Sequence, residues 1–270
     1  MQIIKGKQAK PRRVLLYGQE GVGKSTWAAS APRPIFLDFE DGIGDLDVEK
    51  TPRLHTYAET INALRWLYQA EHSYQSVVFD TVDWFEKLIH DQVCMSANCT
   101  NIEKVDGGYG KGYVAAAALL QEFLTKLEAL MTKRRMNVVM LGHCTRVKVT
   151  DPEREAYEKH SPDLHKQSAA LLREWCDEVF FASFRTYLRT EDAGFNKQRQ
   201  IAIGGDERFI RTTHSAGVHA KNRLSLPAEL PMTWSEYQKH WPNVASVAPA
   251  SSGNIAGVVV DGSSKKQGAE

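Results

Sequence analysis

The stretch that decides the fold is GQEGVGKST, residues 18–26, and its first eight positions fit the pattern G-x-x-x-x-G-K-S in full. The apolar residues 14–17 precede it and read as a buried strand, and a helix is predicted from Lys24 to about Ser30. Glycines let such a loop turn its backbone N–H groups inward, and the helix adds the positive end of its dipole. The segment therefore predicts a cradle for the phosphates of a nucleotide.

The side chains of this loop indicate ATP and Mg²⁺ as the cofactors. Lys24 is expected to reach the β and γ phosphates, and Ser25 to give one oxygen to Mg²⁺. The alternative is a glycine-rich turn that matches by chance, and the strand before the motif and the helix after it argue against that. The predicted nucleotide-binding residues are Gly18, Gln19, Glu20, Gly21, Val22, Gly23, Lys24, Ser25 and Thr26.

An aspartate ends the predicted strand over residues 75–80. Asp80 is predicted to hold the water shell of Mg²⁺ together with Ser25, because an acid in this position lies beside the phosphate loop. The alternative is a helix N-cap, since a helix is expected to start near Asp83. We predict the metal role for Asp80 and the cap for Asp83.

Hydrolysis also needs a carboxylate that orients and deprotonates water. Glu40 follows the predicted strand over residues 34–39, at the end of the sheet where ligands bind in open α/β folds. Asp38 and Asp41 are equally good candidates on this evidence. The alternative is a surface loop whose acidic side chains have no catalytic role. The residues alone leave this choice open, and the family resemblance given below is what selects Glu40 as the predicted catalytic base.

A histidine follows the predicted strand over residues 137–142. His143 is placed to contact the γ-phosphate and to pass a signal to the charged segment 145–167, which we read as a long loop. A lone histidine is more often structural, so only its position in the sheet supports this role.

Strands and helices alternate from residue 14 to residue 144, which predicts an α/β fold with a mainly parallel sheet and helices on both faces. A fifth strand is predicted over residues 178–188. Residues 198–203 and 208–213 are predicted to pair as a hairpin, which would extend the sheet with antiparallel strands. Residues 101–112 are glycine-rich and read as a loop.

Composition is that of an ordinary globular protein: 270 residues, 42% hydrophobic, 25% charged, and a net charge of +1. A nucleic-acid binder would have to concentrate its basic residues locally. The apolar runs fall short of the roughly 20 residues that span a bilayer, so a cytoplasmic protein without membrane contact is expected. We predict one domain over residues 1–243, with a basic segment 1–13, and a disordered tail over 244–270.

Residues 10–227 resemble the RecA-like recombinase core, a P-loop NTPase fold. The resemblance rests on the phosphate loop, on the segment Phe36–Gly42 with its water-activating glutamate, and on the order of elements after Asp80. It also rests on Lys221 and Arg223, which are similar to the cation pair that RecA-like ATPases insert into a neighbouring subunit's active site. The resemblance implies that both residues are catalytic in trans.

The chain is most similar to the Sak-type single-strand annealing proteins, which are compact RecA-like ATPases encoded by phages. The segments Ile3–Lys7, Gly18–Thr26 and Phe79–Trp84 carry this likeness. It implies DNA-stimulated ATP hydrolysis, a role in phage recombination inside a bacterial host, and a homo-oligomer with shared active sites. A single-strand-binding protein is a further expected partner. Because no oligomerisation domain fits before residue 14, and because the fourth strand ends in Gly142-His143, annealing or a ring is expected rather than a long filament.

Single-stranded DNA is the expected partner of two segments that RecA proteins use as DNA-binding loops. The first combines mobility, a cation and aromatic rings, which suit backbone neutralisation and base stacking. The alternatives are a flexible lid and solvated helix ends, and the acids of segment 145–167 oppose DNA, so a modest, salt-sensitive affinity is expected. The predicted DNA-binding residues are Gly108, Tyr109, Lys111, Arg146 and Lys148.

Two other functions remain open on the sequence alone. The first is a small-molecule kinase, because such enzymes share Lys24 and Ser25, and Arg208 and Arg211 could belong to a lid. The second is an accessory protein that binds ATP only as a switch and needs no catalytic base.

Overall fold

Alternating strands and helices build a mainly parallel sheet with helices on both faces, as the sequence predicts. The computed structural model describes residues 9–152, 154–192 and 198–242 of the chain. Its strands are β1 (Arg13–Gly18), β2 (Pro34–Asp38), β3 (Glu49–Lys50), β4 (Ser76–Asp80), β5 (Asn137–Gly142), β6 (Cys144–Asp151), β7 (Arg154–Pro162), β8 (Glu178–Phe184), β9 (Tyr187–Asp192), β10 (Gln198–Ile203), β11 (Arg208–Arg211) and β12 (Glu229–Pro231). Its α-helices are α1 (Lys24–Ala29), α2 (Tyr57–Gln69), α3 (Val82–Ser96), α4 (Lys111–Arg134), α5 (Lys166–Trp175) and α6 (Trp234–Gln238).

The main sheet has the strand order β12-β11-β8-β1-β5-β4-β2-β3. The strands from β8 to β3 pair in parallel, and β11 and β12 add the antiparallel extension at one edge. The register places Asp80 beside Asp38 on β2 and beside Leu141 on β5. The carboxyl ends of four parallel strands therefore meet at one edge, where ligands bind in such sheets.

Alternation of side chains along the strands divides the core between the two faces of the sheet. Leu15 and Tyr17 of β1 pack on one face, and Val14 and Leu16 pack on the other. The first face is covered by α2, α3, α4 and α5, and the second by α1 and α6. The phosphate loop is joined to this core by Val22, which is fully buried on the second face.

A buried ionic cluster lies where β1, β8 and α6 meet. The guanidinium of Arg12 donates to both carboxylate oxygens of Glu178, and the hydroxyl of Tyr237 donates to the same carboxylate over 3.0 Å. All three residues are buried. Burial raises the pKa of Glu178, although Arg12 opposes this. The cluster ties the last described helix to the start of the central strand.

The segment 145–167 is not the long loop that the sequence predicts. Strands β6 and β7 form an antiparallel hairpin through it, with Arg146 opposite His160, and α5 begins at Lys166. Both faces of the hairpin are largely polar and it pairs with itself rather than with the main sheet. The apolar alternation in its sequence is short, since it consists of Val147 and Val149 among many charged residues.

The predicted hairpin between residues 198–203 and 208–213 is also wrong. Strand β10 pairs with β9, and β11 pairs with β8 and β12 in the main sheet. Burial decides this, because Phe209 and Ile210 lie in the core. The predicted strand 178–188 accordingly splits into β8 and β9, which belong to different sheets.

The segment 101–112 is more ordered than predicted. A 3-10 helix covers Ile102–Gly107, and α4 begins at Lys111. A Cβ built on Gly112 would lie 2.0 Å from the carbonyl oxygen of Ile102, so the start of α4 is packed closely against the 3-10 helix.

Within the described residues, no helix is both long and apolar enough to span a lipid bilayer. The predicted tail over residues 244–270 and most of the basic segment 1–13, including Ile3–Lys7, lie outside the described residues. The single domain over residues 1–243 remains a prediction, and its described part from Lys10 to Trp241 forms one unit.

Candidate functional site

A cleft of about 1280 Å³ opens at the carboxyl edge of the sheet. Residues from the phosphate loop form one side of it, and Glu40, Asp80 and His143 come from the ends of three further strands. Sheet order brings these predicted residues together, although they are far apart in sequence. The predicted loop residues that line the cleft are Gln19, Glu20, Gly21, Gly23, Lys24, Ser25 and Thr26.

Two positions of the phosphate loop require glycine, one because of a close contact and the other because of its backbone angle. A Cβ on Gly18 would lie 2.4 Å from the carbonyl oxygen of Ala182 on β8, so β1 can end here only with glycine. Gly23 has φ of 95° and forms the N-cap of α1, where a side chain would be strained. Gly18 and Val22 thus support the loop from behind, while its other predicted residues face the cleft.

The ammonium group of Lys24 lies against its own loop. Its Nζ donates to the carbonyl oxygens of Gly18 and Gln19 over 3.1 and 3.0 Å, and the residue is 7% exposed. Burial lowers the pKa of Lys24, and the nearby carboxylates of Asp80 and Asp83 oppose this shift. These contacts hold a positive charge at the point where the motif predicts the β and γ phosphates.

Asp80 and Ser25 form a donor set that suits Mg²⁺. Ser25 and Asp80 both line the cleft, the residue Asp80 is 3% exposed, and the Oδ2 atom of its carboxylate is buried without a partner. Burial raises the pKa of Asp80, and the nearby hydroxyl of Ser25 and the charge of Lys24 oppose this. A carboxylate and a hydroxyl are ligands that Mg²⁺ accepts when phosphate oxygens and water complete its shell.

The described residues hold no group of three or more His, Cys, Asp or Glu that could bind a metal by themselves. The fit to Mg²⁺ therefore depends on oxygens that a nucleotide would bring, which agrees with the small number of carboxylates that Mg²⁺ uses in proteins.

Glu40 is the acid of its segment that faces the cleft. Its Oε2 accepts a hydrogen bond from Oγ1 of Thr81 over 3.4 Å. Burial raises the pKa of Glu40, and the negative charges of Asp80 and Asp83 add to this, while His143 and Lys24 oppose it. A carboxylate with a raised pKa binds a proton more readily, as a general base must.

The other two acidic candidates lie elsewhere. Asp38 is buried, and its carboxylate accepts hydrogen bonds from the backbone N–H of Asp41 over 2.8 Å and from Nζ of Lys50 over 3.3 Å. Neither Asp38 nor Asp41 lines the cleft. Geometry thus favours Glu40 among the three acids that the sequence left open.

His143, which is partly exposed, pairs with the buried side chain of Asp83. Its Nδ1 lies 2.9 Å from Oδ2 of Asp83, and its backbone N–H donates to Oδ1 over 3.0 Å. The bond to Asp83 raises the pKa of His143. Burial would raise the pKa of Asp83, but the bonds from His143 outweigh it and lower that pKa. The N-cap of α3 is Thr81, so the cap predicted for Asp83 is wrong: Asp83 lies in the first turn of the helix, where its carboxylate is the partner of His143.

The predicted DNA-binding residues of the first segment lie before and at the start of α4. Tyr109 is fully exposed, with φ of 55°, and Gly108 has φ of 90°. Nζ of Lys111 donates to the carbonyl oxygen of Asp106 over 3.0 Å. Tyr113, the second aromatic of this segment, stacks on His165 with ring centroids 4.0 Å apart, so its ring is already covered.

The predicted DNA-binding residues of the second segment lie on β6. Arg146 and Lys148 are both exposed, and Arg146 pairs with Glu158 of β7 over 3.6 Å. Arg146 also lines the cleft, as does His160 of β7. The base of the hairpin thus forms a wall of the cleft, which connects this predicted DNA-binding segment to the site around Lys24.

Lys221 and Arg223 do not line the cleft of their own chain. Nζ of Lys221 donates to the carbonyl oxygens of Arg173, Glu174 and Cys176, at the carboxyl end of α5. Arg223 pairs with Asp177 over 3.0 Å, and its side chain is about half exposed. Action of either residue in a neighbouring subunit stays a prediction.

Arg208 is a cleft residue that the sequence suggested only as part of a kinase lid. It begins β11, and its Nη1 atom would lie 2.7 Å from a Cβ on Gly23, so its guanidinium sits beside the phosphate loop. Trp84 and Lys87 of α3 also line the cleft, with Nζ of Lys87 3.7 Å from the Trp84 ring centroid. The sequence carries no signal for Arg208, because the pairing of β11 with β8 places it there.

Comparison with known proteins agrees with this geometry. A family model described as AAA domain matches residues 10–224. The SPbeta prophage-derived uncharacterized protein YorG of Bacillus subtilis (strain 168) is 24% identical to this chain over 112 residues, which cover 40% of this chain and 34% of YorG. The matched stretch thus spans about a third of that relative. Since the family model covers most of the chain and includes the phosphate loop and the cleft, this chain belongs to the AAA domain family of P-loop ATPases.

Proposed function

We propose that the chain binds ATP with Mg²⁺ in this cleft, hydrolyses it, and uses the cycle to act on single-stranded DNA in phage homologous recombination or strand annealing, as Sak-type proteins do. The observation that carries the proposal is the convergence of Lys24, the Ser25–Asp80 pair and Glu40 in one cleft. The likeness to a prophage-derived protein supports a phage origin. The proposed place of action is the cytoplasm of a bacterial host.

Each side chain of the cleft has a definite task in this proposal. Lys24 leaves its loop carbonyls to neutralise charge on the β and γ phosphates. Ser25 and Asp80 would hold Mg²⁺, which supplies further neutralisation of phosphate charge when bound. Glu40 orients the attacking water and accepts its proton, since its pKa is raised by burial. Backbone N–H groups of the loop bind the phosphate oxygens.

His143 is proposed to couple the cleft to the β6–β7 hairpin. It immediately precedes β6, its carbonyl oxygen accepts a bond from the backbone N–H of Asp163 over 3.0 Å, and its ring is held by Asp83. A change at His143 would therefore reach both ends of the hairpin. Exposed Tyr109, Arg146 and Lys148 are proposed to contact the DNA strand by stacking and by charge.

A homo-oligomer, either a ring or a short filament, is the proposed working form. Arg223 is the better candidate for action in trans, because its side chain is half exposed, whereas Lys221 is engaged at the end of α5. If the proposal is right, Arg223→Ala keeps ATP binding and loses turnover. Mixing it with Glu40→Gln protein restores part of the activity, and full activity of isolated monomers would refute it.

The central experiment is a steady-state ATPase assay with and without oligo-dT, using three variants. Lys24→Ala should lose ATP binding, measured by calorimetry. Glu40→Gln should keep binding and lose roughly 10²- to 10⁴-fold in turnover. The matched control is Asp41→Asn, a neighbouring acid outside the cleft, which should keep its activity.

The outcomes of this assay separate the proposal from its competitors. Full turnover in Glu40→Gln protein would show that Glu40 is not the base. ATP binding without turnover in the unsubstituted protein, together with DNA binding that Glu40→Gln leaves unchanged, would favour an ATP-switched binding protein. Phosphate release that requires a small-molecule acceptor, and does not respond to oligo-dT, would favour a kinase. A single-strand-binding protein is a further proposed partner, to be tested by co-sedimentation with the oligo-dT complex.

A further inference from the structure

A second cavity, of about 340 Å³, adjoins the cleft around Lys24. We call the second cavity the side cavity and the cleft around Lys24 the nucleotide cleft. Gly23, Thr26 and Arg208 line both, so the two spaces are neighbours at the start of α1. The volume of the side cavity lies within the roughly 300–1,000 Å³ that is typical of small-molecule sites.

The side cavity is far less charged than the nucleotide cleft. Among the described residues that line it, Arg208 alone is charged, and it has apolar walls from Val22, Trp27, Met232 and Trp234. The nucleotide cleft is lined by six acidic residues, which are Glu20, Glu40, Asp45, Asp80, Asp83 and Asp163. A flat heteroaromatic ring therefore fits the walls of the side cavity better, because such rings bind against apolar and aromatic side chains.

The nucleotide cleft contains a tryptophan of its own, but cations already lie against its ring. Trp84 has Nζ of Lys87 3.7 Å from its ring centroid, and the guanidinium carbon of Arg53 lies 5.5 Å from the same centroid. A base that stacked on Trp84 would compete with these cations for the ring. The side cavity is therefore the better place for a base.

Two tryptophans of the side cavity have hydrogen-bond donors that no described residue accepts from. Trp27 is 3% exposed and Trp234 is 2% exposed, and the Nε1 atom of each is buried without a partner. A buried donor without an acceptor costs free energy, which a ligand with an acceptor atom would recover. The ring nitrogens of a nucleobase are acceptors of this kind.

Packing holds the walls of the side cavity in place. The ring centroids of Trp27 and Trp234 are 4.5 Å apart, and the ring of Tyr237 lies 5.9 and 5.4 Å from them. The backbone N–H of Met232 donates to the carbonyl oxygen of Arg208 over 3.3 Å, which ties the segment before α6 to β11. A ligand would therefore find walls that are already ordered, which lowers the free-energy cost of binding.

We infer that the side cavity takes the base of the nucleotide whose phosphates bind the loop. This inference rests on the proposed function, because the phosphates must bind at Lys24 for the base to reach the side cavity. The residues shared by the two spaces let one nucleotide extend from the loop into the side cavity. The base packs against the indole rings of Trp27 and Trp234, and its ring nitrogens accept from their N–H groups.

The first test compares the binding of ATP and of inorganic tripolyphosphate, each with Mg²⁺, by calorimetry. Ser235→Phe places a ring in the side cavity from an exposed position of α6. It should weaken ATP binding about tenfold or more, because the base loses its site, and leave the binding of tripolyphosphate unchanged, because that probe has no base. The matched control is Ser96→Phe, at the exposed end of α3 and outside both spaces, which should change neither affinity.

The second test follows the indole N–H signals by NMR in the unsubstituted protein with isotope-labelled tryptophan. ATP should shift the signals of Trp27 and Trp234, and tripolyphosphate should leave them in place. This measurement does not depend on the folding of Ser235→Phe protein, and it decides the question if that variant does not fold.

The inference is overturned if folded Ser235→Phe protein keeps its affinity for ATP, or if it loses affinity for both probes alike. It is also overturned if ATP shifts the indole signal of Trp84 and leaves those of Trp27 and Trp234 in place. In these cases both probes still bind the unsubstituted protein, so the proposed ATP site stands and only the base site fails. If neither probe binds the unsubstituted protein, the proposed function fails and the base site fails with it.

Discussion

Replacing Asp83 by asparagine tests the pair that positions His143. The substitution keeps the size of the side chain and removes its charge. Asp83 is 8% exposed and accepts two bonds from His143, one from the ring at 2.9 Å and one from the backbone at 3.0 Å. The ring bond joins two charges when His143 is protonated. Its loss should therefore be visible in the free energy of unfolding.

The size of the effect depends on pH, and its sign follows from the two pKa shifts. His143 has a raised pKa in the folded protein, so its contribution is present below its unfolded pKa and is lost as pH rises through the folded value. Asp83 has a lowered pKa, so its contribution is present above its unfolded pKa and is lost as pH falls through the folded value. Between these limits Asp83→Asn should cost about 1.5–3 kcal/mol, the range for a hydrogen bond between charged groups. Above the folded pKa of His143 the cost should fall to about 1 kcal/mol.

Urea unfolding at about pH 5.5 and about pH 9 measures this difference, since His143 is protonated at the lower value and loses its proton as the pH rises through its raised pKa. Asp91→Asn is the matched control, because Asp91 is an exposed aspartate of the same helix α3. Its effect should stay within about 0.5 kcal/mol at both pH values. An equal cost of Asp83→Asn at both pH values would refute the charged pair. The same variant should also reduce DNA stimulation of the ATPase if His143 couples the cleft to the hairpin.

Two further outcomes are expected from other parts of the structure. Glu178→Gln leaves the guanidinium of Arg12 buried without its carboxylate. It should therefore lower the free energy of unfolding by about 3 kcal/mol, measured by urea titration. The control is Glu122→Gln at an exposed position, which should change the free energy of unfolding by less than about 0.5 kcal/mol. Arg208→Gln removes a cation beside the phosphate loop and should weaken ATP binding about tenfold in calorimetry, with little change in stability because the residue is exposed. An unchanged dissociation constant would show that Arg208 does not reach the phosphates.

Local physics explains why much of the fold was predictable from sequence. Buried parallel strands are continuous apolar runs, and those at residues 14–17, 34–39, 75–80 and 137–142 lie within a residue or two of the observed strands. The hairpin of β6 and β7 was not predicted because its strands are rich in charged residues and the alternation of Val147 and Val149 is short. The pairing of β11 with β8 escaped because partner choice between strands depends on which side chains reach the core.

The sequence by itself determined the phosphate loop, because the glycines and Lys24 act within nine consecutive residues, and it placed Asp80, Glu40 and His143 at strand ends. The tertiary structure decided which acid faces the cleft, that Asp83 holds His143, and that Arg208 lies beside Gly23. These contacts join side chains from distant parts of the chain. Strand order and register set their distances, and those are fixed only when the whole sheet buries its core.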